Sequence, residues 1–292
     1  MFFFPDHKTP VLFQGITSVM GRYQNEMAYA YGTHVVAGTS HEMTGKLEGI
    51  PLYKTVAAAV RAKHPKVSVV FSTPQKVLPD VLEAIKAKIP LIICTTEHVP
   101  MHDALKMKLA ADQAKVTLLG PSSAGILNVN QAITGTMPTP LFKAGDIAII
   151  GRSASLMFEA ADQLATQGLG VSKCISLGAD HLIGTSFVPV IEALSADKST
   201  RAILVVGQVH GTLEQELATF YKRKHPKKLF VYIPGKALAR SDKAPLLGMK
   251  SVLFSDVIED KKKVLLDAKA VWIDSADKIG KTIFDTLKGK KR

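Results

Sequence analysis

Short apolar runs alternate with longer segments of helical period along most of the chain. Pro10–Gln14, Val35–Gly38, Val67–Phe71, Leu91–Cys94 and Val116–Leu119 read as strands. Between them Gly21–Tyr31, Thr55–Lys63, Pro79–Lys88 and Met101–Ala114 read as helices. The strand runs are continuously apolar rather than alternating, as in a parallel sheet covered on both faces. Strand and helix in strict turn predict a doubly wound α/β domain. Asn128–Ala144 carries Pro138 and Pro140 and no clear period, which predicts a linker. A second α/β series follows. Its expected strands are Asp146–Ile150, Val171–Leu177, Ala202–Gly207, Leu229–Tyr232 and Val271–Ile273. Its expected helices are Leu156–Gln167, Phe187–Leu194, Leu213–Lys224, one running through Val264, and one from Ala276 onward. The expected division is therefore 1–127, a linker over 128–144, and 145–292.

Composition narrows the class. The chain has 292 residues, 47% of them hydrophobic and 21% charged, which suits two ordinary globular domains with full cores. The net charge of +12 invites a nucleic-acid reading. However, the basic runs Lys222–Lys228, Lys261–Lys263 and Lys288–Arg292 lack interleaved aromatics at stacking distance. They read as solvated helix faces that attract anionic ligands, so no nucleic-acid partner is expected. No apolar run approaches the ~20 residues of a membrane span. Met1–Phe4 is followed at once by Pro5 and Asp6 and is no signal peptide, so a cytoplasmic location is expected. Cys94 and Cys174 lie far apart in apolar runs and read as buried thiols.

Candidate chemistry gathers in the turns after the strands. Gly15-Ile16-Thr17-Ser18-Val19-Met20-Gly21 follows the first strand and precedes a helix, where backbone N–H groups favour a phosphate. Phe71-Ser72-Thr73, Thr95-Thr96-Glu97 and Gly120-Pro121-Ser122-Ser123 follow later strands. In an open α/β sheet such turns share one edge, where ligands bind. Helix capping by the same Ser and Thr residues is the plainer alternative. Other chemistry is poorly supported. His98 and His102 stand four apart but flank Pro100 and lack a third ligand, so no metal site is expected. Gly151-Arg152-Ser153-Ala154-Ser155 is no nucleophile elbow, and Gly45-Lys46 and Gly235-Lys236 are no Walker A loops.

These motifs occur in a familiar order. Val11–Gly15 with Thr17 and Gly21, Ala30-Tyr31-Gly32-Thr33, Gly49-Ile50-Pro51-Leu52, Thr95–Pro100, Leu119-Gly120-Pro121 and Gly125–Asn128 resemble the succinyl-CoA synthetase α-subunit family. Met137-Pro138, Arg152-Ser153, Gly178-Ala179-Asp180 and Gly184–Phe187 extend the resemblance over essentially the whole chain. It implies a Rossmann-like domain that binds coenzyme A, then a flavodoxin-like ligase domain. ATP-citrate lyase and malate–CoA ligase share this module, so the resemblance leaves the acid open.

By this resemblance Thr17, Ser18, Val19 and Met20 match the loop that holds the CoA phosphates. Lys46 takes the place of a CoA-contacting lysine, although the family's Pro-Gly-Lys-Gly-Gly loop reads His41-Glu42-Met43-Thr44-Gly45-Lys46 here. Phe71, Ser72 and Thr73 match the adenine-side turn, and Thr95, Thr96 and Glu97 the turn near the pantetheine arm. Ser122 and Ser123 stand where the family has Asn-Cys. In the second domain, Ser153 and Ala154 fall in the phosphate-holding Ser-Arg-Ser-Gly, which reads Gly151–Ala154 here. The resemblance also implies a β-type ATP-grasp partner in a hetero-oligomer and a small carboxylic acid as substrate.

Three departures strike one function. The family's phosphorylated histidine loop, Gly-His-Ala-Gly, reads Ala244–Met249 here, and no histidine follows His225. The supporting Glu-Ile-Gly-Gly reads Gln208-Val209-His210-Gly211, and Ser-Arg-Ser-Gly has lost its last glycine. A phosphohistidine needs an imidazole nucleophile, and an amide cannot stabilise its charge. The expectation is a ligase subunit without histidine phosphorylation, or a non-catalytic CoA-binding paralogue. His210 is the residue that could stand in as a nucleophile, against the plainer reading of a surface-turn histidine.

Overall fold

The computed structural model describes residues 2–40, 42–224, 227–235 and 254–288. Its described residues fall into two compact units, one of 1–139 with 173–186 and one of 140–172 with 187–292.

The first unit is built on β1 (Val11–Gln14), β2 (Val35–Thr39), β3 (Gly45–Leu47), β4 (Ile50–Tyr53), β5 (Val67–Val70), β6 (Leu91–Cys94) and β7 (Thr117–Leu119). The helices α1 (Val19–Tyr31), α2 (Val56–Lys63), α3 (Val77–Lys86) and α4 (Met101–Ala114) alternate with them. The sheet order is β3-β4-β2-β1-β5-β6-β7, parallel throughout except at β3. All of β1, β5 and β6 is buried, which explains why these strands lack polar alternation. Leu12, Val70 and Ile92 pack against Val81 and Ile85 of α3 and Met107 of α4 in one core.

The chain runs outward from β1 in one direction through β2 and β4, and in the other through β5, β6 and β7. That reversal between β1 and β5 is where an open α/β sheet leaves a crevice. Register aligns the strand ends. Gln14 pairs with Thr39 and Val70, and Val70 with Cys94. Gly15, Ser40, Phe71 and Thr95 therefore leave the sheet at one level.

The β3–β4 hairpin was not foreseen from the pattern. Pro51 in so short a run argues against a strand, but it faces only the edge strand β3, at Lys46, and precedes the residues Leu52 and Tyr53 that pair with β2. The expected linker 128–144 is also corrected. It contains β9 (Ala132–Gly135), which forms an antiparallel hairpin with β8 (Gly125–Asn128). These strands are four residues each, too short for a period to show. The strand β11 (Val171–Ser176) pairs antiparallel with β8.

In the second unit β10 (Ala144–Gly151), β12 (Ala202–Val206), β13 (Lys228–Tyr232) and β14 (Val271–Ile273) are parallel neighbours in the order β14-β13-β12-β10. Helices α5 (Ala154–Thr166), α6 (Phe187–Ala196), α7 (Leu213–Lys224), α8 (Phe254–Asp267) and α9 (Ile279–Lys288) complete the chain. Gly151 pairs with Val206, and Val206 with Tyr232, so the turns after β10 and β12 also leave at one level.

Candidate functional site

The turn after β1 is shaped by two glycines. Gly15 has φ +72°, and a Cβ there would lie 3.2 Å from the Phe71 carbonyl oxygen across the crevice. A Cβ on Gly21 would meet the Gly15 carbonyl oxygen at 2.2 Å, so only glycine lets α1 start this close to β1. Ser18 caps the helix. Its hydroxyl donates to the Gly15 carbonyl at 2.8 Å and accepts the Gly21 N–H at 3.0 Å. The Val19 and Met20 N–H groups belong to the first turn, which has no intrahelical acceptors. Their side chains are exposed, and no acidic residue lies in that turn.

The neighbouring turns are stitched together along the edge. The Thr17 and Ser40 hydroxyls share a hydrogen bond of 3.1 Å. The Thr96 hydroxyl donates to the Ser72 carbonyl at 2.7 Å, and the Thr95 hydroxyl to the Val70 carbonyl at 2.7 Å. The Ser122 N–H donates to the Thr96 carbonyl at 2.8 Å. The Ser72 hydroxyl bonds the Asp80 carboxylate. The structure thus brings Thr17–Met20, Phe71–Thr73, Thr95–Glu97 and Ser122–Ser123 to one sheet edge, with Ser40 added. Lys46 does not join the row. It is exposed on β3, opposite Pro51 of β4 at the sheet margin.

Several side chains face inward rather than toward a ligand. Phe71 is buried edge-on against Phe13, with ring centroids 5.1 Å apart. Thr96 is buried and its hydroxyl is committed to Ser72. Ser123 is buried, donating to the Ser176 carbonyl at 2.6 Å and accepting the Gly125 N–H at 3.0 Å. These residues hold the turns in shape, and any contact from them to a ligand would come from backbone. Beneath the edge, burial pushes the Cys94 thiol up to about 12, and Asp180 adds to the rise.

The donor set suits a polyphosphate: hydroxyls, a helix start with no carboxylate in its first turn, and glycines that let backbone approach closely. A bulky base alone would not need this.

In the second unit Ser153 precedes α5 and makes no side-chain cap bond, and Ala154 opens the helix. Exposed His210 lies in the turn after β12, at the same edge as Ser153. A feature not read from the sequence sits beneath that turn. Glu214 of α7 and Lys261 of α8 form a salt bridge of 2.6 Å, with both side chains almost wholly buried. The other Glu214 oxygen accepts the Gln208 N–H at 2.8 Å. The Lys261 ammonium also donates to the Gln208 and His210 carbonyls, at 2.8 and 3.3 Å. The signal was present in the pattern: Glu214 falls with Leu217, Ala218 and Tyr221 on the apolar stripe of α7. The segment 244–249, where the phosphohistidine loop would fall, lies outside the described residues. Among the described residues no group of three or more His, Cys, Asp or Glu could hold a metal, and no helix is long and apolar enough to cross a membrane.

Each unit carries a mainly parallel α/β sheet, and the first has a phosphate-suited edge, an architecture of the doubly wound nucleotide-binding class. Residues 6–98 match the CoA binding domain, and residues 144–256 the succinyl-CoA ligase like flavodoxin domain. The succinate–CoA ligase [ADP-forming] α subunit of Staphylococcus epidermidis is 31% identical over 286 residues, covering 98% of this chain and 95% of that protein. An α subunit 2 from Archaeoglobus fulgidus is 37% identical over 231 residues, 79% of this chain and 80% of its own. The chain belongs to the succinate–CoA ligase α-subunit family. Its fold matches ATP citrate lyase from Methanothrix soehngenii, solved with citrate and coenzyme A, at TM-score 0.82 and 18% identity. That match covers 98% of this chain and spans about half, 51%, of the lyase chain. A dinucleotide-forming acetyl-coenzyme A synthetase from Ca. Korarchaeum cryptofilum matches at TM-score 0.75 and 17% identity, over 92% of this chain and 58% of the synthetase.

Proposed function

We propose that this chain is the CoA-binding α-type subunit of an acid–CoA ligase, working with a separate β-type ATP-grasp subunit and a small carboxylic acid, without a phosphohistidine of its own. The observation that carries the reading is the row of hydroxyls and backbone donors at the carboxyl edge of the first sheet, inside the matched CoA binding domain. Thr17, Val19 and Met20 would hold the phosphates, the end of β2 the nucleoside side, and the turns at Phe71–Thr73, Thr95, Glu97 and Ser122 the arm on the other side of β1. Bound CoA supplies a thiol nucleophile for acyl transfer. The chain's own residues bind and orient that arm. The α1 start offers its positive end to the phosphates, and Gly21 keeps that end close to β1.

For the second unit the loss of an imidazole from 244–249 and the amide at Gln208 support a reaction without histidine phosphorylation on this chain. Acyl phosphate would then form in the partner. Lys261 and Glu214 hold the turn that carries Gln208 and His210, and Glu214 is already committed to that turn.

A thermal-shift titration with CoA, dephospho-CoA and ATP tests the ligand. A CoA-selective rise in melting temperature supports the assignment by mass action, and no rise with any of them removes it. Labelling with γ-labelled ATP, with the partner present, tests the second part. Acid-labile label that disappears in His210→Ala would show that His210 has taken over the relay and would overturn it.

A further inference from the structure

One cation at the edge of the first sheet has no task in that reading. Arg22, exposed in the first turn of α1, donates from Nε to the Thr17 carbonyl at 3.2 Å and from Nη2 to the Met43 sulfur at 3.5 Å. One contact ties it to the β1–α1 turn and the other to the segment after β2. The same two segments are joined by the Thr17–Ser40 hydroxyl pair, and the Ser40 hydroxyl accepts the Met43 N–H at 3.0 Å. Arg22 is therefore held between two turns that are themselves fastened together.

Only one edge of the guanidinium is used. Its Nη1 has no acceptor among the described residues, and no carboxylate among them lies in ion-pair range, Glu42 and Glu26 included. A fixed fork of N–H donors with a free edge is suited to a phosphate. The Lys46 side chain has no hydrogen bond among the described residues to hold it in place. Arg22 reaches the segment after β2 from the helix, through Met43.

The place matters as much as the charge. In a sheet of this order a nucleotide's diphosphate lies at the start of the first helix and its ribose near the end of the second strand. There a carboxylate suits a bare ribose hydroxyl, whereas an arginine suits a ribose phosphate. We propose that Arg22 reads the ribose 3′-phosphate of CoA and makes the site prefer CoA to its dephospho form. This rests on the CoA reading above.

Calorimetric titration of the full chain with CoA and with dephospho-CoA tests it, using wild type, Arg22→Gln, Arg22→Lys and Lys46→Gln. Removing one charged hydrogen-bond donor predicts an about 10- to 100-fold weaker CoA affinity in Arg22→Gln. Dephospho-CoA affinity should change less than about twofold on the same basis, since the lost donor faces the missing phosphate. Arg22→Lys should keep part of the preference, because it keeps the charge and loses the fork. The inference is overturned if Arg22→Gln leaves the ratio of the two affinities unchanged, whether both hold or both fall. It is equally overturned if Lys46→Gln abolishes the preference and Arg22→Gln does not. Wild type that binds neither compound removes the CoA reading itself, whereas wild type that binds both equally removes only the role of Arg22.

Discussion

At the carboxyl edge of the first unit's sheet, the turns end in glycines, hydroxyls and an exposed guanidinium. At the edge of the second unit's parallel strands, the charged groups turn inward. Both edges follow from the same arithmetic of parallel strands ending at one level. They differ in what the turns do with their polar groups. In the first, Thr17, Ser40 and Arg22 link turn to turn and still leave donors outward. In the second, Glu214 and Lys261 bind the Gln208 and His210 backbone and each other, away from solvent. One edge leaves donors outward that suit a ligand. The other is built to hold one turn in a fixed shape.

The largest effect that could break this contrast lies in the buried pair. Lys261→Met would leave the Glu214 carboxylate buried without its cation, at a cost of about 3–5 kcal/mol. The double variant Lys261→Met/Glu214→Leu should recover much of that, because the uncompensated charge is gone. Urea unfolding measures both. A single-variant loss below about 1 kcal/mol would mean water reaches the pair and the turn is not closed.

Alkaline unfolding probes what lies just under the open edge. Cys94 is held neutral by burial, with its folded value raised from 9.0 to about 12. Above pH 9 the unfolded chain releases the proton and the folded chain keeps it, so stability falls as pH rises toward 12. The slope should reach about 1 kcal/mol per pH unit for this thiol. Burial raises the Cys174 thiol too and adds in the same direction. Cys94→Ala with Cys174→Ala should flatten the slope between pH 9 and 11, measured by urea unfolding at each pH. An unchanged slope would place its origin in other groups.

Thr17→Glu sets a carboxylate where phosphate is expected and should weaken CoA about 10- to 100-fold, read by calorimetry. An unchanged affinity would move the phosphates elsewhere. The smallest effect is expected at His210. Its side chain is exposed, so His210→Ala should change stability by less than about 0.5 kcal/mol. A larger loss, seen in thermal unfolding, would show that the imbalance between the two edges is drawn too sharply.

Much of this was legible in the pattern of the chain. β6, α4, α7 and β14 carry the bounds read from apolar runs and period, because each is long or uniform enough to show one. That the turns at Thr17–Met20, Phe71–Thr73, Thr95–Glu97 and Ser122–Ser123 share one edge was visible, because parallel strands of this order end at one level. Their division of labour was not visible. Ser18 as a cap, Phe71 as core and Ser123 as a buried tie depend on partners 3, 58 and 53 residues away in the chain.

The sequence by itself determined the alternation of strands and helices, the glycines at 15 and 21 and the absence of an imidazole beyond His225, since these rest on local period and residue chemistry. Only the tertiary structure decided that β8 and β9 form a hairpin, that Arg22 bridges two turns, and that Glu214 finds Lys261. The physical reason is range: hydrophobic period acts within a few residues, whereas a hydrogen bond or ion pair needs its partner delivered by the fold, 21 residues away for Arg22 and Met43 and 47 for Glu214 and Lys261.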